Sequence, residues 1–383
     1  MVFPMDIDSY FNLDEKLVYV NHAAVTPWPV RTVDAVKAFA DENGKLGSRH
    51  YGQWMNTETT LRQQLAQLIH AASVDEIALL KNTSEGLSVI AYGLNWNAGD
   101  NIVISDEEFP SNRIIWESLK SQGVEVKYAS LKGENPEQAL IDLIDDKTRL
   151  LSISSVQYAS GLRINLQPLG HHCKQHNVLF CVDAIQQIGA LEFDVQTVQA
   201  DFVVADGHKW MLGPEGLALF YCRQELIDTL KLNQYGWHMV ENHLDFDSMN
   251  QWQAAASARR FECGSPNMLA THALSASISV LLEVGMDKIQ QAVLDKVQYL
   301  IQLFSKKDGI QILSPVNRSL HAGIFTFCIT GVDNEALYKY LVDKGTVCAL
   351  RGGGVRFSPH FYTPKHKLDT LFEWVSEFSQ KRL

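Results

Sequence analysis

The stretch FVVADGHKWMLGPEGLALFY, Phe202 to Tyr221, holds two apolar runs separated by a turn rich in glycine and polar residues. Runs of this length and composition, bounded by such turns, read as β-strands. The turn carries one lysine, Lys209, between a histidine and a tryptophan. Most lysines extend into water, so one at the end of a buried strand needs a chemical reason.

Five more such runs precede it: IALL near residue 77, NIVIS from Asn101, VEVKY from Val124, LLSIS from Leu150 and VLFCV from Val178. Helix-length segments alternate with these runs. That alternation implies parallel pairing through crossover helices, and hence an α/β sheet covered on both faces. From about residue 285 the pattern changes to two long helical stretches around the shorter strands IQILS, GIFTFCIT, TVCAL and GVRFS. The expected organisation is an N-terminal segment, 1–18, packing with a small α+β domain at 285–383, and a large domain at 19–284. A cleft between the two domains is the default place for a ligand.

The formal net charge of −11 with no basic run argues against nucleic acid and favours a small metabolite. Four acidic residues among the first twenty do not suit a secretory signal, and no apolar run reaches the length of a membrane span. Six scattered cysteines without a CxxC pair fit reduced thiols, so a cytoplasmic protein is expected. His172 and His176 lie four apart on an expected helix, but no third ligand is spaced to join them. A solvated face is expected there, and no metal site.

In open α/β sheets ligands gather at the carboxyl ends of the strands. VLFCV ends in Asp183, with Gln186 soon after; FVVAD runs into His208 and Lys209; IALLK opens into Asn82, Thr83, Ser84, Glu85 and Gly86; NIVIS leads to Glu108 and Phe109. Each matches one part of a phosphorylated pyridine aldehyde. The hydroxyls of Thr83 and Ser84, with free amides of Glu85 and Gly86 at a helix start, suit a phosphate. Asp183 suits a protonated pyridine nitrogen, Lys209 an imine, and Phe109 the ring face. Taken singly, these residues also read as helix caps or core. Their joint order points to pyridoxal 5'-phosphate.

With these motifs, and with VYVNHAAVTPWP, NTSEG, VDAIQQIGA, FECGSPN and GGGVRFSPHFYTP, the chain resembles the class V aminotransferase group of fold-type I pyridoxal-phosphate enzymes over nearly its whole length. This group includes cysteine desulfurases, selenocysteine lyases and kynureninases. The resemblance implies a mostly parallel seven-stranded sheet in the large domain and an amino-acid substrate. It implies that Lys209 bears the imine and moves protons, Asp183 pairs with the pyridinium and Gln186 approaches the ring hydroxyl. Thr83, Ser84 and His208 help hold the phosphate, and Arg356 grips the substrate carboxylate. Gly264 and Ser265 reach the phosphate of a second subunit, which implies a homodimer with shared active sites.

Two departures bear on the reaction. The desulfurases resembled here carry a proton-transferring histidine where Phe109 aligns, and a nucleophilic cysteine on a loop before the carboxylate arginine. Here that interval is short and holds only Cys348, in a run that reads as a buried strand. A desulfurase passing sulfur through a cysteine is therefore disfavoured. Aminotransferase-like chemistry is the leading expectation, with a lyase cleaving C–S or eliminating a β-substituent as the alternative. A member that had lost catalysis is expected to lack Lys209, Asp183 or the arginine, and all are present. Gln157, Tyr158, Tyr235, Trp237 and His238 are candidates to shape the side-chain pocket or to pack a dimer.

Overall fold

In the computed structural model, which describes residues 7–382, a two-residue strand β1 (Val18–Tyr19) is followed by the seven expected strands. They are β2 (Ile77–Leu80), β3 (Asn101–Ser105), β4 (Glu125–Ala129), β5 (Thr148–Ser154), β6 (Leu179–Asp183), β7 (Phe202–Asp206) and β8 (Ala218–Cys222). They form one sheet in the order β2-β8-β7-β6-β5-β3-β4. Only β8 runs against its neighbours, because the Lys209 turn is a direct connection with no crossover helix. The result is a mostly parallel seven-stranded sheet between helical layers, as the resemblance implies.

Successive residues of a strand point to opposite faces, so a strand buried on both sides feeds two cores. Val103, Val182 and Val203 enter one apolar layer, while Ile102, Cys181 and Phe202 enter the other. This is why these strands read as continuous apolar runs. The first layer is closed by the helix Met268–Val284, where Leu274, Ile278 and Leu281 are fully buried.

Beyond it lie β9 (Ile310–Ile312), β10 (Phe325–Ile329), β11 (Thr346–Val347), β12 (Ala349–Arg351) and β13 (Gly354–Phe357). Four of these make an antiparallel sheet, β12-β13-β10-β9, around Phe304, Phe325, Phe327 and Phe357. The helix Met286–Phe304 joins the two parts. Ile289 and Val293 sit in the large core, whereas Val297, Leu300 and Phe304 sit in the small one.

Residues 1–6 of the expected N-terminal segment lie outside the described residues. Within the remainder, Tyr10 joins the large core and donates to Glu283, Phe11 stacks on Tyr362, and β1 pairs in parallel with β11. No single helix among the described residues is long and apolar enough to cross a membrane.

Candidate active site

The carboxyl ends of β2, β5, β6 and β7 open into a cavity of about 470 Å³ that is closed on its far side by the β12–β13 hairpin. It is lined by Thr83, Ser84, Phe109, Asp183, Gln186, His208, Lys209 and Arg356. Eight of the expected residues, drawn from five segments of the chain, thus meet in one space. Ser265 does not join them. It is exposed, and its hydroxyl accepts from the indole of Trp237.

The turn after β7 is tight. The amide of Gly207 donates to Leu217 O, that of Gly213 to Gly207 O, and that of Leu212 to Lys209 O. Trp210 is fully buried behind the lysine: its indole donates to Gln186 Oε1 at 2.9 Å, and its carbonyl lies 3.1 Å from His360 Nε2. Because the amide of Phe361 donates to His360 Nδ1, the Nε2 position carries the hydrogen that Trp210 accepts. Gly189, at φ 93°, completes the support, since a Cβ there would lie 2.2 Å from the Trp210 oxygen. Lys209 is therefore held from below through its neighbour. Its Nζ lies 5.8 Å from the centroid of Phe109. Burial lowers its pKa to about 8, against the opposing pull of Asp183.

Asp183, at the end of β6, is buried and accepts from Asn112 Nδ2 at 2.7 Å and from the amide of Ile185 at 3.0 Å. Burial raises its pKa, and those two donors act in the other direction. Sequence reasoning passed over Asn112, whose only signal is its place three residues after Phe109 on the helix Ser111–Glu117. It also passed over the support behind Asn112. Ser154 donates to Glu108 at 2.5 Å, and Glu108 accepts from Gln157 as well. Burial pushes the Glu108 carboxyl up to about 7.

At the phosphate end the structure corrects one expectation. The amides of Glu85 and Gly86 are not free: Asn82 caps the helix Thr83–Gly93, its Oδ1 accepting from Glu85 and its carbonyl from Gly86. Gly86 serves packing instead, because a Cβ there would lie 2.7 Å from Val204 Cγ1. The first two helical amides, of Thr83 and Ser84, have no intrahelical acceptor by position. Thr83 Oγ1 is buried without a hydrogen-bond partner, and Ser84 Oγ donates to Ser111. His208 Nδ1 lies 2.9 Å from Asp206 Oδ1. An orphaned hydroxyl and unpaired amides at a helix start fit an anionic ligand, so the residues present suit a phosphate.

Arg356 is buried on β13. One guanidinium nitrogen donates to the carbonyl of Tyr158 at 2.6 Å and Nε has no partner. Burial lowers its pKa to about 10. Gln186 lines the cavity with its amide partly engaged, donating to Ala23 O while accepting from Trp210. Tyr158 lines it too, edge-on to Phe109 at 5.2 Å. Tyr235, Trp237 and His238 do not line it: Tyr235 is exposed, and His238 is buried between Glu58 and Glu262. Cys348 is buried away from the cavity, its thiol raised to about 12 by burial. His172 and His176 stack at 4.0 Å on the helix Leu166–His176.

Lys209, in the turn after β7, and Asp183, at the end of β6, line one cavity at the carboxyl ends of the sheet, the arrangement of a fold-type I pyridoxal-phosphate enzyme. The family model for aminotransferase class V matches residues 18–371, and the chain belongs to that family, with pyridoxal 5'-phosphate as its cofactor. A protein of Methanothermobacter thermautotrophicus described as a probable cysteine desulfurase is 30% identical over 385 residues, covering 94% of each chain. One from Pyrococcus abyssi with the same description is 27% identical and covers 98% of each. Among solved structures, the apo cysteine desulfurase of Thermococcus onnurineus superposes with a TM-score of 0.87 at 24% identity, covering 100% of this chain and 99% of that one. The cystine C-S lyase C-DES, bound to its product cysteine persulfide, does so at 0.87 and 20%, covering 95% and 98%.

Proposed function

We propose that this protein is a pyridoxal-phosphate lyase that cleaves a bond at the β-carbon of an amino acid, most simply a C–S bond, without a protein thiol as sulfur carrier. The observation that carries the reading is a cavity that holds Lys209, Asp183 and Arg356 together and no cysteine. The curated relatives described as cysteine desulfurases favour bond cleavage at sulfur over transamination.

When bound, the cofactor supplies an aldehyde for an amine and a ring that holds the negative charge left by a broken substrate bond. Thr83, Ser84 and His208 would hold its phosphate, Gln186 would meet its ring hydroxyl, and Asp183 would keep a proton on its ring nitrogen. Arg356 binds the substrate carboxylate with a planar pair of donors. Lys209 accepts the α-proton at Nζ, and a pKa near 8 leaves a usable neutral fraction at physiological pH. Phe109 would cover the ring, and it carries no exchangeable proton. The departing group therefore leaves unaided from that side, which suits a sulfur anion. The reading includes a cytoplasmic homodimer in which Ser265 and Gly264 reach the phosphate of the second subunit.

Incubation with cysteine, cystine, serine, alanine and kynurenine tests the reaction. Lyase chemistry by β-elimination yields a keto acid, ammonia and the expelled group with no added acceptor, and Cys348→Ser leaves the rate within about twofold. Transamination converts the cofactor to its amine form, which recovers only after a second keto acid is added, and that outcome rejects the lyase.

A further inference from the structure

A second group of polar side chains is buried away from the cavity. Glu58 on the helix Tyr51–Leu68, His238 in the segment after β8 and Glu262 ahead of the helix Met268–Val284 are 3%, 0% and 6% exposed, and none of them lines the site described above. One ligand-type atom from each lies within 4.8 Å of the other two. Arg62 holds both carboxylates from one side, donating to Glu58 Oε1 at 2.8 Å and to Oε1 and Oε2 of Glu262 at 2.6 and 3.2 Å. The amide of Leu79 also donates to Glu262 Oε1. These donors fix one edge of each carboxylate and leave the two Oε2 atoms toward the imidazole, 3.8 Å from Nε2 for Glu58 and 3.5 Å from Nδ1 for Glu262. Glu58 Oε2 and both ring nitrogens of His238 have no hydrogen-bond partner.

Burial lowers the His238 pKa to about 4, against the pull of Glu262, so the ring is neutral at physiological pH. A neutral imidazole keeps a lone pair on one of its nitrogens. With a carboxylate on either side, that lone pair meets another acceptor whichever tautomer forms. Two buried acceptors that face each other need a cation or a donor between them. A directly shared proton requires a separation of about 2.7–3.2 Å, shorter than either contact. Atoms bound to one tetrahedral ion at about 2.0–2.2 Å lie roughly 3.3–3.6 Å apart, close to the spacing here. The charge agrees: two ionised carboxylates exceed Arg62 by one, and the other nearby cation, Arg259, is directed at the carbonyls of His238, Val240 and Glu241. His243 packs edge-on to His238 with ring centroids 5.0 Å apart, which puts a second imidazole within reach.

We propose that Glu58, His238 and Glu262 form a structural site for a divalent transition metal such as zinc, with His243 completing the ligand set. Carboxylate oxygens joined by imidazole nitrogens suit zinc and its first-row neighbours, whereas magnesium and calcium take oxygen alone. Arg62 then orients the ligating carboxylates through their other oxygens, as groups behind a metal's ligands do. The ion braces three segments far apart in sequence: the helix Tyr51–Leu68, the stretch around His238, and the FECGSPN motif just before Gly264 and Ser265. It takes no part in the reaction, because its ligands lie outside the cavity.

The test treats the cofactor-loaded enzyme with a chelator, titrates it with zinc chloride by calorimetry and measures the zinc retained after dialysis. The expected result is about one zinc per chain with a Kd of about 1 μM or tighter, weakened by about tenfold or more in His238→Ala and in Glu58→Gln. Two other zinc-binding chances are controlled separately: His176→Gln, which breaks the stacked pair with His172, and Cys263→Ser each leave the Kd within about twofold. X-ray absorption on the unaltered enzyme needs no variant to fold, and it should show nitrogen and oxygen neighbours at about 2.0–2.2 Å with imidazole scattering and no sulfur. Zinc that dialyses away from the unaltered enzyme overturns the proposal and leaves a bridging water as the donor between His238 and its carboxylates. So does sulfur among the neighbours, unchanged binding in His238→Ala, or loss of zinc in His176→Gln.

Discussion

Lys209 and Asp183 show how one environment sets two acid–base roles. Burial acts on both against charge, lowering the lysine to about 8 and raising the aspartate, and their mutual attraction opposes each shift. An exposed lysine is almost wholly protonated at neutral pH, whereas a group with a pKa of about 8 is roughly one-tenth neutral at pH 7. Covalent uptake of cofactor by the apoprotein therefore accelerates as pH rises and levels off above about 8. A rate that stays flat across about two pH units around that value removes Lys209 from the role. Borohydride reduction of the loaded enzyme should fix the label on the peptide containing Lys209, and Lys209→Ala should take up none. Asp183→Asn keeps the shape and removes the charge, so α-proton exchange in deuterated water should slow by roughly a hundredfold or more. Unchanged exchange would show that the ring nitrogen does not depend on this carboxylate. Both residues were legible as strand-end polar groups. Asn112, which orients Asp183, was not, because its partner lies 71 positions away.

At the scale of elements, the strands were read correctly because burial on both faces leaves an unbroken apolar run. The turns were read less completely. Gly189 sits in the VDAIQQIGA motif, and nothing in its own neighbourhood states that Trp210 packs on it. Gly189→Ala places a Cβ 2.2 Å from the Trp210 oxygen at a backbone angle that side chains avoid. The expected cost is about 1–3 kcal/mol in unfolding, together with weaker cofactor retention as the Lys209 turn shifts. A variant matching the parent in both melting temperature and cofactor retention would show that the turn does not rely on this contact. The helix Thr83–Gly93 teaches the converse. Its start was read as a donor site through Glu85 and Gly86, but Asn82 takes those amides, and the unpaired positions move two residues earlier to Thr83 and Ser84. A cap residue and a ligand compete for the same donors, and the sequence pattern of the two is nearly identical.

For the whole molecule, Ser265 is exposed beside Trp237, and Tyr235, Phe246 and Trp252 add apolar surface in the same stretch, the first two at 64% exposure. Exposed aromatic surface of this kind is the normal material of an interface. The cofactor-loaded protein should sediment as a two-fold dimer, and Ser265→Ala should speed cofactor loss without altering the sedimentation coefficient. A fully active monomer would place phosphate binding within one subunit.

Local chemistry was enough to determine the strand and helix order, the strand-end lysine and aspartate, and the family they mark. Those features depend on side-chain periodicity and on residues close in the chain. What only the tertiary structure decided is which distant groups meet. Arg356 joins Lys209 from a separate sheet, Asn112 reaches Asp183 from another crossover, and His360 supports Trp210 across 150 positions. Periodicity encodes which face a residue occupies, but the partner on that face is chosen by packing between elements far apart in sequence.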